Sequence, residues 1–173
     1  YYSNNTIPDK ESLTTSQRSA IQLLTSRNYL TTPVQQTMEK KDKRLYSVLR
    51  GYSSSLSSGM VVEDQYYCKG TDKYEKRISY NKYDIYGNPV YINKDGAEKV
   101  VYLWGYKGQY LLAEIKGATY EEVKKALMVD PASMSSCILP SMPLYLDMID
   151  NLYKALPSAL ITSYTCLLYT SDA

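Results

Sequence analysis

Residues 83 to 93, Tyr83-Asp84-Ile85-Tyr86-Gly87-Asn88-Pro89-Val90-Tyr91-Ile92-Asn93, spell out a strand, a tight turn and a second strand. An Asp at the first turn position caps the turn amides with its carboxylate, and a Gly three residues later takes positive φ without steric cost. Together they close a bulged antiparallel hairpin, with Arg77 to Tyr83 as its first strand. The device then recurs. Lys94-Asp95-Gly96 is a second hairpin turn, and Val100 to Ile115 supplies two further strands around a turn at Gly105-Tyr106-Lys107-Gly108. That last turn lacks the spacing of a phosphate-binding loop and lies between strands, not ahead of a helix.

The same logic extends upstream. Pro33 to Met38 alternates apolar and polar residues, reaches a Lys-Asp turn and returns as Leu45 to Leu49, which predicts another hairpin. Ser53 to Gly59 reads as a flexible link, after which Met60 to Tyr67 resumes strand character. Residues 1 to 30 form a poorly defined segment in which Leu13, Ala20, Ile21 and Leu24 allow either a short helix or two strands. After Ile115 the period changes. Thr119-Tyr120-Glu121-Glu122 fits a capping box, and Tyr120, Val123, Ala126 and Leu127 share one helical face that Asp130-Pro131 should end. Pro131 to Pro143 reads as a loop, and a second helix from about Leu144 to Leu156 carries Tyr145, Met148, Ile149, Leu152 and Leu156 on one stripe. Such a pair cannot bury its stripes alone and should lie on a sheet. The expected fold is therefore mainly β: an antiparallel hairpin array over residues 31 to 118, an inserted pair of α-helices over 119 to 157, and a strand cut short at 158 to 165.

Two absences narrow the chemistry. The chain has no His, which removes the commonest general base and metal ligand together, and no Phe, while Tyr reaches 20 residues. Tyr favours places with one buried face and one wet end, as on amphipathic sheets. No Ser-x-x-Lys or Gly-x-Ser-x-Gly occurs. Asp147 and Asp150 fall on the polar side of the second helix, and Glu121 and Glu122 suit a helix start. No catalytic or metal-binding constellation emerges, so no enzyme, cofactor or metal is expected. The formal net charge is +2, and its one cluster, Lys40-Lys41-Asp42-Lys43-Arg44, reads as a solvated turn tip, not a nucleic-acid patch. No apolar run is long enough to span a bilayer.

Tyr83-Asp84-x-x-Gly87-Asn88 resembles the repeat signature of the YD-repeat (Rhs-like) family of large secreted and cell-surface proteins. Tyr102-Leu103-Trp104-Gly105-Tyr106 with Ala113-Glu114-Ile115 is similar to the block downstream of that signature in one bacterial branch, and Leu156-Pro157-Ser158-Ala159-Leu160 matches a segment that leads back into repeats there. The resemblance covers about residues 30 to 165, with one clear copy of the signature. It implies repeated hairpins wound into a long curling sheet, a non-enzymatic scaffold or shell, neighbouring repeats as partners, and often a C-terminal toxin or effector domain to encase. It also implies a secreted or surface location. The alternative is a carbohydrate-binding module, in which Trp104, Tyr106, Lys107 and Tyr110 would hold a glycan.

The tail Cys166 to Ala173 breaks the preceding pattern and resembles the in-frame translation of a transposase sequencing-library adapter, so it is expected to play no part in the fold. With Tyr1 in first place, the chain reads as a fragment cut at both ends. Setting Cys166 aside, Cys68 and Cys137 lie far apart and are expected to be buried free thiols, with a disulfide between them the alternative in an oxidising compartment.

Overall fold

The computed structural model describes residues 1–56, 59–136 and 142–164. Its eight strands hydrogen-bond in chain order, β1 to β8, as one antiparallel sheet, and the mainly-β expectation is met. The chain divides into two compact units, Tyr1–Tyr80 and Asn81–Ala173.

In the first unit, a 3-10 turn at Lys10–Ser12 precedes helix α1 (Thr15–Ser26), followed by β1 (Gln35–Lys40), β2 (Lys43–Leu56), β3 (Gly59–Lys69) and most of β4 (Glu75–Tyr83). The helix-or-strands ambiguity of the N-terminal segment resolves as helix, because Thr14 and Gln17 build a capping box. The Gln17 amide donates to Thr14 Oγ1 at 3.2 Å, and the Thr14 amide donates to Gln17 Oε1 at 3.2 Å. Ala20, Ile21 and Leu24 then bury one face of α1 in a core with Leu13, Val34, Leu49 and Tyr52. The basic cluster forms the β1–β2 turn tip, with Lys41 at φ 51° and Asp42 at φ 59°, and Arg44 reaches Asp9 at 3.1 Å.

One expectation fails here. Ser53 to Leu56 is not a flexible link but the end of the 14-residue strand β2, pairing Ser53 with Val61 and Leu56 with Gly59. Strand ladders are made by the backbone, so a serine run that signals a loop in isolation continues the hairpin, across a register shift between Ser53 and Leu56.

The second unit contains β5 (Pro89–Lys94), β6 (Glu98–Gly105), β7 (Tyr110–Lys116), α2 (Tyr120–Leu127), a 3-10 segment (Pro131–Ser136), α3 (Met142–Ala155) and β8 (Leu160–Ser163). The Thr119 amide donates to Glu122 Oε2 at 2.7 Å and the Glu122 amide to Thr119 Oγ1 at 3.2 Å, which is the capping box read from the sequence. Both helices lay their stripes on the sheet: Val123, Tyr145, Ile149 and Leu152 pack with Val101, Leu103, Ile115 and Ile161. Each fully buried aliphatic side chain in this layer contributes roughly 1.5 to 3 kcal/mol.

Two boundaries differ from expectation. Helix α2 ends at Leu127, where Met128 adopts φ 56°, ahead of Asp130-Pro131. Pro131 then opens a 3-10 segment instead of a loop, and that segment buries Pro131, Met134 and Ser135. Asp147 and Asp150 are exposed on α3, as their position in the pattern predicts. Cys68 is a buried free thiol whose Sγ lies 3.0 Å from the Asp72 carbonyl. Cys137 and the tail from 166 to 173 lie outside the described residues.

Candidate functional site

The signature residues meet at one end of the second unit. Asp84 is 1% exposed, and its Oδ1 accepts the Tyr86 amide at 2.9 Å and the Asn88 amide at 2.8 Å. Its backbone closes the turn: the Asp84 amide donates to Asn88 O at 3.0 Å and the Gly87 amide to Asp84 O at 3.2 Å. Gly87 sits at φ 86°, the conformation the sequence demanded of it. Asn88 then does more than end the turn. Its side-chain amide donates to Asp84 Oδ2 at 3.0 Å and to Gly108 O at 2.8 Å, which ties the β4–β5 turn to the β6–β7 turn.

Gly108 is held from both sides. Its amide donates to Ser135 O at 3.2 Å, on the 3-10 segment. It has φ 73°, and an added Cβ would lie 2.5 Å from Asn88 Nδ2 and 2.9 Å from a Tyr86 ring carbon. Gly105 is needed for packing, since a Cβ there would meet the Leu112 side chain at 2.8 Å. Tyr83 and Tyr102 flank this end as half-buried strand residues. The two turns and the 3-10 segment thus form one hydrogen-bonded assembly.

The four residues expected to face a ligand do not share one surface. Val101 and Leu103 point toward the helices, so Tyr102 and Trp104, alternating with them on β6, project from the other face of the strand. The Trp104 indole N–H donates to the Pro89 carbonyl at 2.8 Å, which uses its polar edge inside the fold. Tyr106 packs against the helix-side core and meets the exposed Tyr110 edge-on at 5.6 Å, and Lys107 is exposed at the turn between them. Tyr106, Lys107 and Tyr110 are therefore gathered at the tip, and Trp104 is not.

Behind the tip, Tyr120 is a buried hub. Its ring lies 5.9 Å from the Tyr91 ring and 4.1 Å from Lys82 Nζ, and its hydroxyl donates to Asp130. Burial, reinforced by the Asp130 carboxylate, pushes the Tyr120 hydroxyl well above the ordinary tyrosine range. The hydrogen bond from Tyr120 in turn holds Asp130 below the usual carboxylate value.

The first unit holds two polar clusters. Gln17, on the buried face of the first turn of α1, donates through Nε2 to Glu63 and Asp64 at 3.0 Å each and accepts the Tyr66 hydroxyl at 3.2 Å. Asp64 also accepts Ser79 Oγ at 2.8 Å and faces Lys76 Nζ at 3.5 Å. In the second cluster, Asp9 Oδ2 accepts the Gln35 amide at 2.6 Å and the Tyr74 hydroxyl at 3.0 Å, and Ser47 Oγ lies 2.7 Å from the Tyr74 hydroxyl. Burial, helped by Asp9, pushes the Tyr74 hydroxyl up to about 12 against the opposing hydrogen bond with Ser47. A hydroxyl so reluctant to ionise is a poor base, and Ser47 gains no activation from it. A groove of about 800 Å3 beside α1 is lined by Thr6, Lys10, Arg18 and Gln22 among others, and Arg18 there is paired with Glu11 at 3.2 Å.

Among the described residues, no group of three or more Cys, Asp or Glu side chains comes together in a way that would hold a metal ion, and no helix is long and apolar enough to cross a membrane. No family model matches the chain, and no curated protein or solved structure matches it either.

Proposed function

We propose that this chain is a non-catalytic structural segment of a large YD-repeat-like secreted or cell-surface protein, whose hairpins stack with neighbouring repeats of the same polypeptide and contribute to a casing for a C-terminal effector domain. The observation that carries the reading is the use made of Asp84, Gly87 and Asn88. All three are consumed inside the fold, and Asn88 staples its own turn to the next hairpin through Gly108. A residue pattern that fastens one hairpin to its successor is what a repeating shell requires, because each hairpin leaves an edge and a face that only neighbours can cover. The strand order, each pairing with the next in sequence, supports the same reading.

A second reading, a carbohydrate-binding module, is favoured by exposed Tyr86, Lys107 and Tyr110 around the tip. The two separate cleanly. The scaffold reading expects the protein extended on both sides into its parent gene to melt at a higher temperature and more cooperatively than this chain, with no saturable glycan binding by titration calorimetry. Saturable binding lost in Tyr110→Ala, together with an unchanged melt on extension, would transfer the assignment to the module.

A further inference from the structure

The two end strands of the sheet are finished differently. Strand β1 carries Glu39 and Lys40, a bulge at Met38/Glu39, and an N-terminal segment folded beside it, with the Val34 and Gln35 amides donating to Tyr1 O at 3.0 and 3.1 Å. Charge, bulge and cover are the usual protections of an edge. Strand β8 has neither charge nor bulge, and its only cover among the described residues is the Tyr153 side chain of α3. Leu160-Ile161-Thr162-Ser163 is uncharged and regular in register with β7, and among the described residues no strand lies on its other side.

The register fixes which backbone groups that edge presents. The Gly117 amide donates to Lys99 O at 2.9 Å, so the alternation of the β6–β7 ladder directs the amides and carbonyls of Ile115 and Ala113 toward β6. Opposite them on β8 stand Ile161 and Ser163, whose backbone groups therefore point outward. The Tyr164 amide, donating to Leu112 O at 2.8 Å, keeps the same phase. The Ile161 carbonyl bears this out, because it accepts the Tyr153 hydroxyl of α3 at 3.0 Å.

We infer that the outer edge of β8 is a docking site for the β8 strand of a second copy of this chain, paired antiparallel about a two-fold axis at Thr162. In that register Ile161 and Ser163 of one copy face Ser163 and Ile161 of the other as hydrogen-bonded pairs, which uses the outward groups of both. Thr162 meets Thr162, a favourable cross-strand pair, and no like charges are opposed. Leu160, 64% exposed, falls opposite Tyr164 of the second copy, itself 42% exposed, so the two apolar residues that the strand leaves in water cover each other. The interface is isologous and closes at two copies. Tyr153 is a competing cap, since its hydroxyl occupies the carbonyl that the second strand needs. The pairing rests on β8 alone; under the YD-repeat reading a neighbouring repeat competes for the same edge, and the test separates the two because it measures association of this chain and not architecture.

Sedimentation velocity of the full chain from about 1 μM to 1 mM should reveal a reversible monomer–dimer equilibrium. Hydrogen exchange should show the Ile161 and Ser163 amides gaining protection as concentration rises, while the Thr162 amide, already facing β7, does not change. Thr162→Lys sets two ammonium groups against each other on the axis and should raise the dimer Kd about tenfold or more. Tyr153→Phe frees the Ile161 carbonyl and should lower Kd about threefold. A chain that stays monomeric throughout this range, or a dimer that leaves the Ile161 and Ser163 amides unprotected, overturns the proposal. A dimer indifferent to Thr162→Lys does the same. If that variant fails to fold, Leu160→Lys and the exchange data on the unmodified chain decide the question.

Discussion

Asp84 in the second unit and Gln17 in the first are buried polar side chains satisfied in opposite ways. In the second unit, the Asp84 carboxylate finds its partners within four residues, at Tyr86 and Asn88. In the first, Gln17 reaches 46 to 49 residues along the chain to Glu63, Asp64 and Tyr66, and the Tyr74 hydroxyl reaches 65 residues back to Asp9. The local arrangement costs little loop entropy and can form before the sheet does. The distant one exists only after α1 has docked on β2 and β3. One unit should therefore owe its polar order to turn chemistry and the other to completed tertiary structure.

The strongest test of that contrast is Gln17→Leu, which keeps the side-chain volume but removes one hydrogen-bond partner each from Glu63, Asp64 and Tyr66. It should cost about 3 kcal/mol in urea denaturation, because buried polar groups are left short of hydrogen bonds. Since the network forms late, most of the loss should appear as faster unfolding. A loss expressed mainly in the folding rate would break the comparison, placing the α1 contacts in the folding nucleus.

Asp84→Ala should come next at about 2.5 kcal/mol, since two backbone amides and the Asn88 side chain lose a charged acceptor. Here the effect should fall on the folding rate, because an early hairpin is being removed. Equal partition of Gln17→Leu and Asp84→Ala between the two rates would mean that sequence separation does not order the two units.

The same contrast decides what could be read from the chain itself. The turn at Asp84 and Gly87 was legible because its donors, acceptor and positive φ all fall within five consecutive residues. The hairpin order was legible because each strand pairs with the next. The onward bond from Asn88 to Gly108 spans 20 residues and leaves no local pattern. The capping box at Thr119 stood out because Glu122 opens a clean apolar stripe. Thr14-x-x-Gln17 is the same device and could have identified α1, but the apolar pattern after it is mixed and glutamine advertises the box less clearly. Nothing in the sequence marks Gln17 as the hub of a buried network, although Gly51 is its counterpart: a Cβ there would lie 2.3 Å from Gln17 Cδ. Ser53 to Leu56 misled because side-chain preference says loop where backbone pairing says strand. At the tip, sequence proximity groups Trp104 with Tyr106, whereas the pleat of β6 puts it on the opposite face.

Gly87→Val sharpens the comparison at smaller scale. At φ 86° a β-branched residue is strained, yet no atom lies within 4 Å of an added Cβ, so the penalty is purely conformational. About 1 to 2 kcal/mol of stability should be lost, with the folding rate again carrying it. An unchanged denaturation midpoint would remove the turn from its place as the organiser of this unit.

The smallest expected effect belongs to the distant network and is read with pH. The Tyr74 hydroxyl, pushed up to about 12 by burial and by Asp9, stays protonated in the folded chain where an unfolded tyrosine ionises near its ordinary value of about 10. The folded state then binds more protons than the unfolded state over that interval, so stability is full below about pH 10 and declines as pH rises toward 12. Other tyrosines, such as the buried Tyr52 and the half-buried Tyr66, are raised as well and add to the same slope. The contribution of Tyr74 is isolated by difference: Tyr74→Phe should be less stable than the parent at neutral pH, where the bonds to Asp9 and Ser47 are intact, and the gap should close between pH 10 and 12. Urea midpoints for the two proteins at pH 8, 10 and 11.5 would measure this. A gap that stays constant across the series would mean that Tyr74 ionises as freely folded as unfolded, and that the distant network does not hold its proton.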